Sequence, residues 1–331
     1  MDHTITFLRV LGIGCLGLAI TGAAMWGALA IYYSDLPGEP LRLGLAAAFT
    51  LATFGAFLFL PHRRRTLVGF GVAFAAVLLW WTSIAPSNER DWQTDVAVLP
   101  YASRDGDLVI LHNVRNFDYR ASDQDFAPRY EDRTFDLREL GAVDLIAVYW
   151  MGDAIAHIMV SFDFAGEHVA ISIETRKEKG EVYSSIAGFF KRYELIYVVA
   201  DERDLIGVRT NYRKPEELVY LYRTRTNPDN GRRLFLEYVE RINHLKEQPA
   251  FYNTLTSNCT TDVWSLARAL SDQVSLDWRV LLSGYFPAYA YDLGSLDTSM
   301  PFTELKARSL INEKAHAAGQ DPGFSARIRL P

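Results

Sequence analysis

Charged residues are scarce in the first quarter of this 331-residue sequence, whereas they occur every few positions from Asn88 onward. Three stretches of the first part, residues 7–32, 43–60 and 66–83, are apolar over about the 20 residues that a helix needs to cross a bilayer. The first stretch leaves no polar stripe to face water, which disfavours a buried core helix. A cleaved signal peptide is disfavoured because two further spans follow. We therefore predict a three-helix transmembrane anchor over residues 1–87 and a soluble domain over residues 88–331.

Basic residues are concentrated in only one of the two short loops between these spans. Residues 62–65 read His-Arg-Arg-Arg, whereas the loop over residues 34–42 contains two acidic residues and one arginine. The positive-inside rule places the arginine-rich loop in the cytoplasm. The sequence thus predicts a multi-pass protein of the inner (cytoplasmic) membrane, with a periplasmic soluble domain. Aromatic anchors at the outer boundary agree with this orientation: Tyr32, Tyr33, Trp80 and Trp81.

The sequence also lacks a basic excess and is poor in cysteine. A formal net charge of -6 argues against nucleic acid as a partner. Of the two cysteines, Cys15 lies in the first span and Cys259 in the soluble part, so no internal disulfide is available to the domain. An unpaired thiol in an oxidising compartment requires an explanation. No histidine pair has ligand spacing and no cysteine pair exists, so neither a metal nor another cofactor is predicted.

The soluble part has the pattern of one α+β domain, followed after Leu296 by a polar tail. Residues 156–164 and 168–175 alternate in polarity with period two, which is typical of paired strands. A two-residue turn at Ala165 and Gly166 would place His157 opposite Glu174, on the open face of the hairpin. Residues 118–133 have the composition of an irregular loop. Further strands are predicted over residues 108–114, 142–151, 195–200 and 219–222, and helices over residues 231–247 and 260–270.

Cys259 stands where the last of these helices begins. Asn258 is expected to cap the helix, and the free backbone N–H groups and dipole there favour a nucleophilic thiolate. The alternative is a small buried core cysteine. A catalytic thiol needs a base, and His157 is favoured because Glu174 could fix its tautomer and stabilise the imidazolium. The domain contains four other histidines: His112, His168, His244 and His316.

Many ordered blocks of the sequence resemble the Lnb N-terminal periplasmic domain family, whose members include bacterial lipoprotein N-acyltransferases. The resemblance extends over residues 108–297. The blocks include residues 113–119 (NVRNFDY), 172–176 (SIETR), 209–213 (RTNYR), 251–255 (FYNTL), 258–261 (NCTT) and 277–282 (DWRVLL). The resemblance implies a permuted papain-like (NlpC/LRAT-like) thiol fold, with an antiparallel sheet, the histidine strand first and the cysteine helix last. The positions that match its nucleophile and base are Cys259 and His157, and Glu174 is our assignment from strand parity.

The combined prediction is a periplasmic thiol acyltransferase. It would move an acyl chain from phospholipid, through a cysteine thioester, to the α-amino group of lipoprotein diacylglyceryl-cysteine. Substrate contacts are expected at Asn258 and at three arginines that could bind phosphate by charge-assisted hydrogen bonds, Arg176, Arg203 and Arg209. Two alternatives remain open: a cysteine amidase or peptidase acting on cell-wall peptides, and a non-catalytic membrane scaffold.

Overall fold

A computed structural model describes residues 2–271 and 273–330 of the chain. These residues form two compact units. The first consists of residues up to Pro86 together with Ser184–Arg192, and the second consists of Ser87–Tyr183 together with the residues from Tyr193 onward. The division by sequence at residue 87 did not anticipate that Ser184–Arg192 groups with the first unit.

The first unit contains three long helices, α1 (Asp2–Tyr32), α2 (Glu39–Phe59) and α3 (Arg63–Ser83). Each is long and apolar enough to cross a membrane, which confirms the three predicted spans. Large apolar side chains such as Leu18 and Leu51 are more than 70% exposed, as expected for surfaces that face lipid. Helices α1 and α2 approach closely at Gly27, where an added Cβ would lie 2.8 Å from the Phe49 ring.

The second unit is built on an eight-stranded sheet, within the described residues. Along the sheet the strand order is β1-β2-β9-β8-β7-β6-β10, with β5 paired to β2, and all pairings are antiparallel except β2 with β9. Strands β3 and β4 form a separate small ribbon. The α+β prediction is therefore confirmed. The bounds are β1 Tyr101–Asp105, β2 Leu108–Arg115, β3 Asp118–Tyr119, β4 Phe126–Ala127, β5 Tyr130–Asp136, β6 Leu140–Tyr149, β7 Ala156–Phe164, β8 Glu167–Arg176, β9 Glu194–Ala200, β10 Leu218–Arg223, α4 Glu202–Leu205, α5 Pro228–Glu247, α6 Cys259–Leu270, α7 Trp278–Leu281, α8 Phe286–Asp292, α9 Phe302–Ser309, α10 Asn312–Ala318 and α11 Phe324–Arg327.

The hairpin of β7 and β8 has the register predicted from its polarity pattern. Phe164 pairs with Glu167 and Met159 with Ser172. The turn residues Ala165 and Gly166 have φ values of 51° and 96°. Positive φ at both positions is the mark of a type I′ turn, whose twist matches that of the strands.

The polarity pattern predicted one face of the β7–β8 hairpin to be open, but much of that face is buried. Met159 and Ala170 are fully buried in a cluster that includes Ile311, Ala315 and Phe324 from the C-terminal part of the chain. Residues after Leu296, predicted as a polar tail, instead form three helices, α9 to α11. The tail prediction failed because short amphipathic helices with few apolar residues carry little periodic signal, even though they cover a sheet face. The prediction of an irregular loop also missed β5, and β1 was not predicted.

Gly284 fixes the connection that leads into β7, because its Cα lies against the β6–β7 loop. An added Cβ would lie 2.0 Å from the carbonyl oxygen of Asp153. Gly284 N–H donates to the Ala154 carbonyl at 3.0 Å, and the Ala156 N–H donates to Ser283 Oγ at 2.9 Å. These bonds hold the residue that precedes His157.

We expect Gly284→Ala to lower the free energy of unfolding by at least the ~1–3 kcal/mol typical of overpacking, because the clash is with backbone and cannot relax by a rotamer change. Thermal unfolding of the purified protein measures the change. Gly141→Ala is the matched control, since its added Cβ meets nothing closer than 4.0 Å. Equal melting temperatures for the two variants would contradict the prediction.

Candidate active site

Cys259 is the first residue of α6, and Asn258 caps the helix as predicted. Asn258 Oδ1 accepts hydrogen bonds from the backbone N–H groups of Thr260 at 2.9 Å and Thr261 at 3.0 Å. In return, Thr261 Oγ1 accepts from the Asn258 N–H at 2.9 Å, which completes a capping box. The cap uses the N–H groups of Thr260 and Thr261, the two residues after the cysteine.

The thiol itself is buried, with 8% of Cys259 exposed. Its Sγ lies 3.7 Å from Thr260 Oγ1, and the backbone N–H of Ile158 is directed at it. Since Ile158 follows His157 in β7, the structure brings the nucleophile to the strand residue next to the predicted base. No hydrogen bond joins Cys259 directly to His157 among the residues that the structure describes.

His157 is oriented by Ser172, and Glu174 acts one step further away. The His157 Nε2 lies 2.6 Å from Ser172 Oγ, and Ser172 Oγ donates to Glu174 Oε1 at 2.8 Å. The direct distance from Nε2 to Glu174 Oε1 is 3.7 Å, too long for a hydrogen bond. The three residues share one face of the paired strands β7 and β8, as their parity predicts.

This chain of hydrogen bonds determines which nitrogen of His157 is the base. Ser172 has a single proton and donates it to the carboxylate, so it can only accept from the ring. Nε2 must therefore carry a proton in the neutral imidazole, and Nδ1 has the free lone pair. The arrangement can accept a proton at Nδ1 while Glu174 balances the new positive charge.

Arg209 holds Glu174 in place from the other side. It belongs to one turn of π-helix, Val208–Tyr212, and is 4% exposed. Its guanidinium donates to Glu174 Oε1 at 2.9 Å and to Glu217 Oε2 at 3.2 Å. Although burial alone would raise the pKa of Glu174, the charges of Arg209 and His157 hold it well below its usual range. Glu174 is thus a permanent anion beside the base.

Cys259, His157 and Glu174 line one cavity of about 780 Å³. This is within the range of about 300–1,000 Å³ found for small-molecule sites. Its wall is mixed: aromatic and aliphatic side chains such as Trp150, Val182 and Tyr252 alternate with charged groups.

Residues 126–284 match a family model described as the Lnb N-terminal periplasmic domain. The match assigns residues 126–284, rather than the whole chain, to this domain family. The match lies within the region of resemblance seen in the sequence and contains Cys259, His157 and Ser172. No curated protein and no solved structure matches the chain.

Four residues predicted to contact substrate have other roles in this Lnb domain. Arg176 is 2% exposed, stacks over Trp92 at 4.3 Å and donates to the carbonyls of Val96 and Ala97. Arg203 pairs with Asp118 at 3.1 Å. Neither arginine lines the cavity, nor does Asn258, whose side chain is the helix cap.

Arg209 does line the cavity, but its guanidinium pairs with Glu174 and Glu217.

Lys177 is the cavity residue that the sequence reasoning missed. It lines the cavity next to Arg176 in the chain, and no acidic partner is found for it within the described part of the protein. By contrast, Lys179 pairs with Asp91 at 2.6 Å and Arg213 with Glu217 at 2.8 Å. Lys177 lies just beyond β8, where strand parity no longer predicts which way a side chain points.

The other histidines of the second unit lie outside the cavity. His168 bonds to the Gly166 carbonyl at 3.0 Å, and His316 to the Thr210 carbonyl at 2.8 Å. His112 pairs with Asp132 at 2.7 Å on the exposed face of β2. Among the histidines that the structure describes, His157 is thus the one placed to serve Cys259.

Burial keeps Cys259 and His157, the resting pair, uncharged. It raises the pKa of the Cys259 thiol, an effect that the nearby Ile158 N–H only partly offsets. Burial and the Arg209 charge lower the pKa of His157 to about 3, despite the opposing charge of Glu174. The helix start was expected to favour thiolate, but desolvation outweighs the dipole here.

We therefore expect alkylation of Cys259 by iodoacetamide to accelerate with pH and to inflect above about 8.5, the ordinary value for cysteine. Thiolate is the reacting form, and burial delays its appearance to higher pH. Intact-protein mass spectrometry across this range, in a Cys15→Ser background, measures the rate at one thiol. An inflection below about pH 7 would instead reveal a preformed thiolate–imidazolium pair.

Proposed function

We propose that this protein is a membrane-anchored periplasmic thiol acyltransferase. Its substrates are a phospholipid acyl donor and the free α-amino group of diacylglyceryl-cysteine at a lipoprotein N-terminus. The observation that carries the proposal is the hydrogen-bonded array of His157, Ser172 and Glu174, of which His157 and Glu174 line one cavity with Cys259. A nucleophile, a base and an orienting group in one cavity are the parts that covalent acyl transfer requires.

In the first half-reaction, Cys259 Sγ attacks the carbonyl carbon of the phospholipid ester. His157 Nδ1 takes the thiol proton as the carbon–sulfur bond forms. The tetrahedral intermediate then expels the lysophospholipid oxygen, which receives that proton from His157. The products are an acyl-thioester on Cys259 and a lysophospholipid with a free hydroxyl group.

In the second half-reaction, the lipoprotein amine attacks the thioester carbonyl and the sulfur leaves. The amine proton passes to His157 and from there to the sulfur, which regenerates the thiol. The amide product is more stable than the thioester, so transfer runs forward. The uncharged resting pair suits this cycle, because charge appears only as the proton moves to His157.

Two groups support the transition state in both steps. The Cys259 N–H, at the first residue of α6, would donate to the developing oxyanion. Glu174 lies 3.7 Å from His157 Nε2, where its negative charge stabilises the imidazolium.

The membrane anchor supports a lipid donor. Helix α3 ends at Ser83 and the second unit starts at Ser87, so very few residues tether the domain. Lys177 provides a cavity cation for the donor phosphate, while the apolar part of the wall suits an acyl chain. A soluble cell-wall peptide would need neither the tether nor the apolar wall.

Intact-protein mass spectrometry tests the proposal. The full-length Cys15→Ser protein in detergent is incubated with a phosphatidylethanolamine of one defined acyl composition, and then with a diacylglyceryl-cysteine lipopeptide that has a free amine. We expect a mass increase of one acyl group, mapped to Cys259, which disappears as the lipopeptide gains the same mass.

The other outcomes overturn the proposal in distinguishable ways. Hydrolysis of the acyl adduct, without any modification of the lipopeptide, would indicate a thiol hydrolase. Cleavage of a cell-wall peptide without any lipid adduct would indicate the amidase or peptidase. An unmodified Cys259 with every substrate would favour the scaffold. Cys259→Ser is the matched control in each arm.

A further inference from the structure

The segment Ser184–Arg192 interrupts the periplasmic domain in sequence but packs in the first unit, against the ends of α1 and α3. Phe190 is 6% exposed and its ring lies 5.9 Å from that of Tyr33, in a stacked arrangement. The Phe190 ring also lies 6.1 Å from Trp26. Aromatic side chains thus fix this segment to the end of α1, at the boundary predicted to be the outer one.

Two cations of the segment bond to the carbonyl groups of those helix ends. Lys191 Nζ donates to the carbonyls of Trp81 at 3.1 Å, Thr82 at 3.2 Å and Ile84 at 2.9 Å. Arg192 donates to the Ser34 carbonyl at 3.0 Å. The last carbonyls of a helix have no partner within it, and they carry the negative end of the dipole. These contacts therefore hold the segment at the level where α1 and α3 leave the apolar layer.

On its other side the segment exposes two large apolar residues. Ile186 is 54% exposed and Phe189 is 41% exposed. Ile186 precedes a turn of 3-10 helix, Ala187–Phe189, and Phe189 is its last residue. In such a turn, side chains three positions apart project from the same side. The pair therefore forms one apolar surface, next to a segment face that is already anchored on membrane-spanning helices.

We infer that Ser184–Arg192 is an interfacial membrane segment, whose Ile186 and Phe189 insert into the outer leaflet at the boundary between headgroups and acyl chains. The bilayer is the expected occupant of this surface because the surface is continuous with helices that the bilayer already surrounds. Apolar side chains at this depth, with cations bound nearby, are the arrangement found in interfacial segments.

This inference rests on the membrane anchor and does not depend on acyl transfer. It does add to the proposed function, because Tyr183, which lines the cavity, is joined by one peptide bond to Ser184. Insertion of the segment would thus hold Tyr183, through one peptide bond, next to a residue that lies in the membrane interface.

Site-specific fluorescence tests the insertion without requiring activity. In a background of Cys15→Ser and Cys259→Ser, single variants Ile186→Cys and Phe189→Cys are labelled with an environment-sensitive fluorophore and reconstituted in phosphatidylethanolamine/phosphatidylglycerol vesicles. Leu108→Cys is the matched control, since Leu108 is an apolar residue of similar exposure, 43%, at the β1–β2 turn. We expect lipids that carry a shallow spin label to quench the first two probes several-fold more than the control, and aqueous iodide to do the reverse.

Probes at residues 186 and 189 that behave like the control would overturn the inference. A second measurement uses the double variant Ile186→Ser with Phe189→Ser, which leaves every cavity residue intact. We expect a several-fold higher KM for donor lipid in vesicles, with kcat unchanged for a short soluble ester. Unchanged KM would refute a contribution of the segment to the use of donor lipid, whereas failure of the proposed function would abolish turnover and leave the fluorescence result intact.

Discussion

Cys259→Ala is expected to abolish acyl transfer, with a loss of at least ~10³-fold, because the covalent route requires a thiol and the cavity lining has no other cysteine among the described residues. The acyl adduct should also disappear from the mass spectrum of the intact protein. Cys259 is small and lies at a helix start, where alanine is tolerated once Asn258 supplies the cap. The folded domain should therefore survive, and thermal unfolding of the variant checks this directly.

Cys15→Ser is the matched control for this loss. It removes the other cysteine of the chain, which lies in α1, and should transfer acyl groups at the original rate. Full activity in a well-folded Cys259→Ala protein would refute the thiol mechanism and leave the scaffold hypothesis in its place.

The second large effect is expected for His157→Ala, with a fall in the rate of acylation of about 10²–10⁴-fold, the contribution typical of a positioned general base. The thiol would then have to lose its proton to water, which is unfavourable because burial raises its pKa. Raising the pH should recover part of the lost rate in this variant, since hydroxide supplies thiolate directly. Single-turnover acylation, followed by mass spectrometry, measures both effects.

Ser172→Ala tests the orientation of His157 while the imidazole itself is retained. We expect a smaller loss than for His157→Ala, and no further loss when the two changes are combined, because they act as one unit. Ser161→Ala is the matched control: it removes another buried strand serine, which bonds to Glu202 outside the cavity. Independent, multiplying losses for Ser172 and His157 would show that Ser172 does not act through the imidazole.

Glu174→Gln is a less clean test than the sequence suggested. The carboxylate pairs with buried Arg209, and removal of one partner of a buried pair costs about 3–5 kcal/mol. Activity should fall, but the melting temperature should fall as well. Ser172→Ala avoids this complication, since it leaves the ion pair intact.

Local patterns in the sequence determined several parts of this protein. Apolar length alone identified the three spans, because a bilayer has a fixed thickness. Period two and a glycine at the turn gave the β7–β8 register, since one residue of slippage would move every side chain to the other face. Asn258 before an amphipathic stretch gave the start of α6 and thus the position of Cys259, because capping uses only residues close in the chain.

Contacts between residues far apart in the chain were decided only by the tertiary structure. Ser172 shares the strand face with Glu174, but side-chain geometry determines which of them reaches His157. Arg209 resembled a phosphate ligand in the sequence, and its burial beside Glu174 and Glu217 depends on a π-turn 35 residues further along. Likewise, the polar composition of the C-terminal tail and the mixed composition of Ser184–Arg192 say little about where they pack. The packing of each segment depends on apolar residues that meet a complementary surface, such as Phe324 in the tail and Phe190 in Ser184–Arg192.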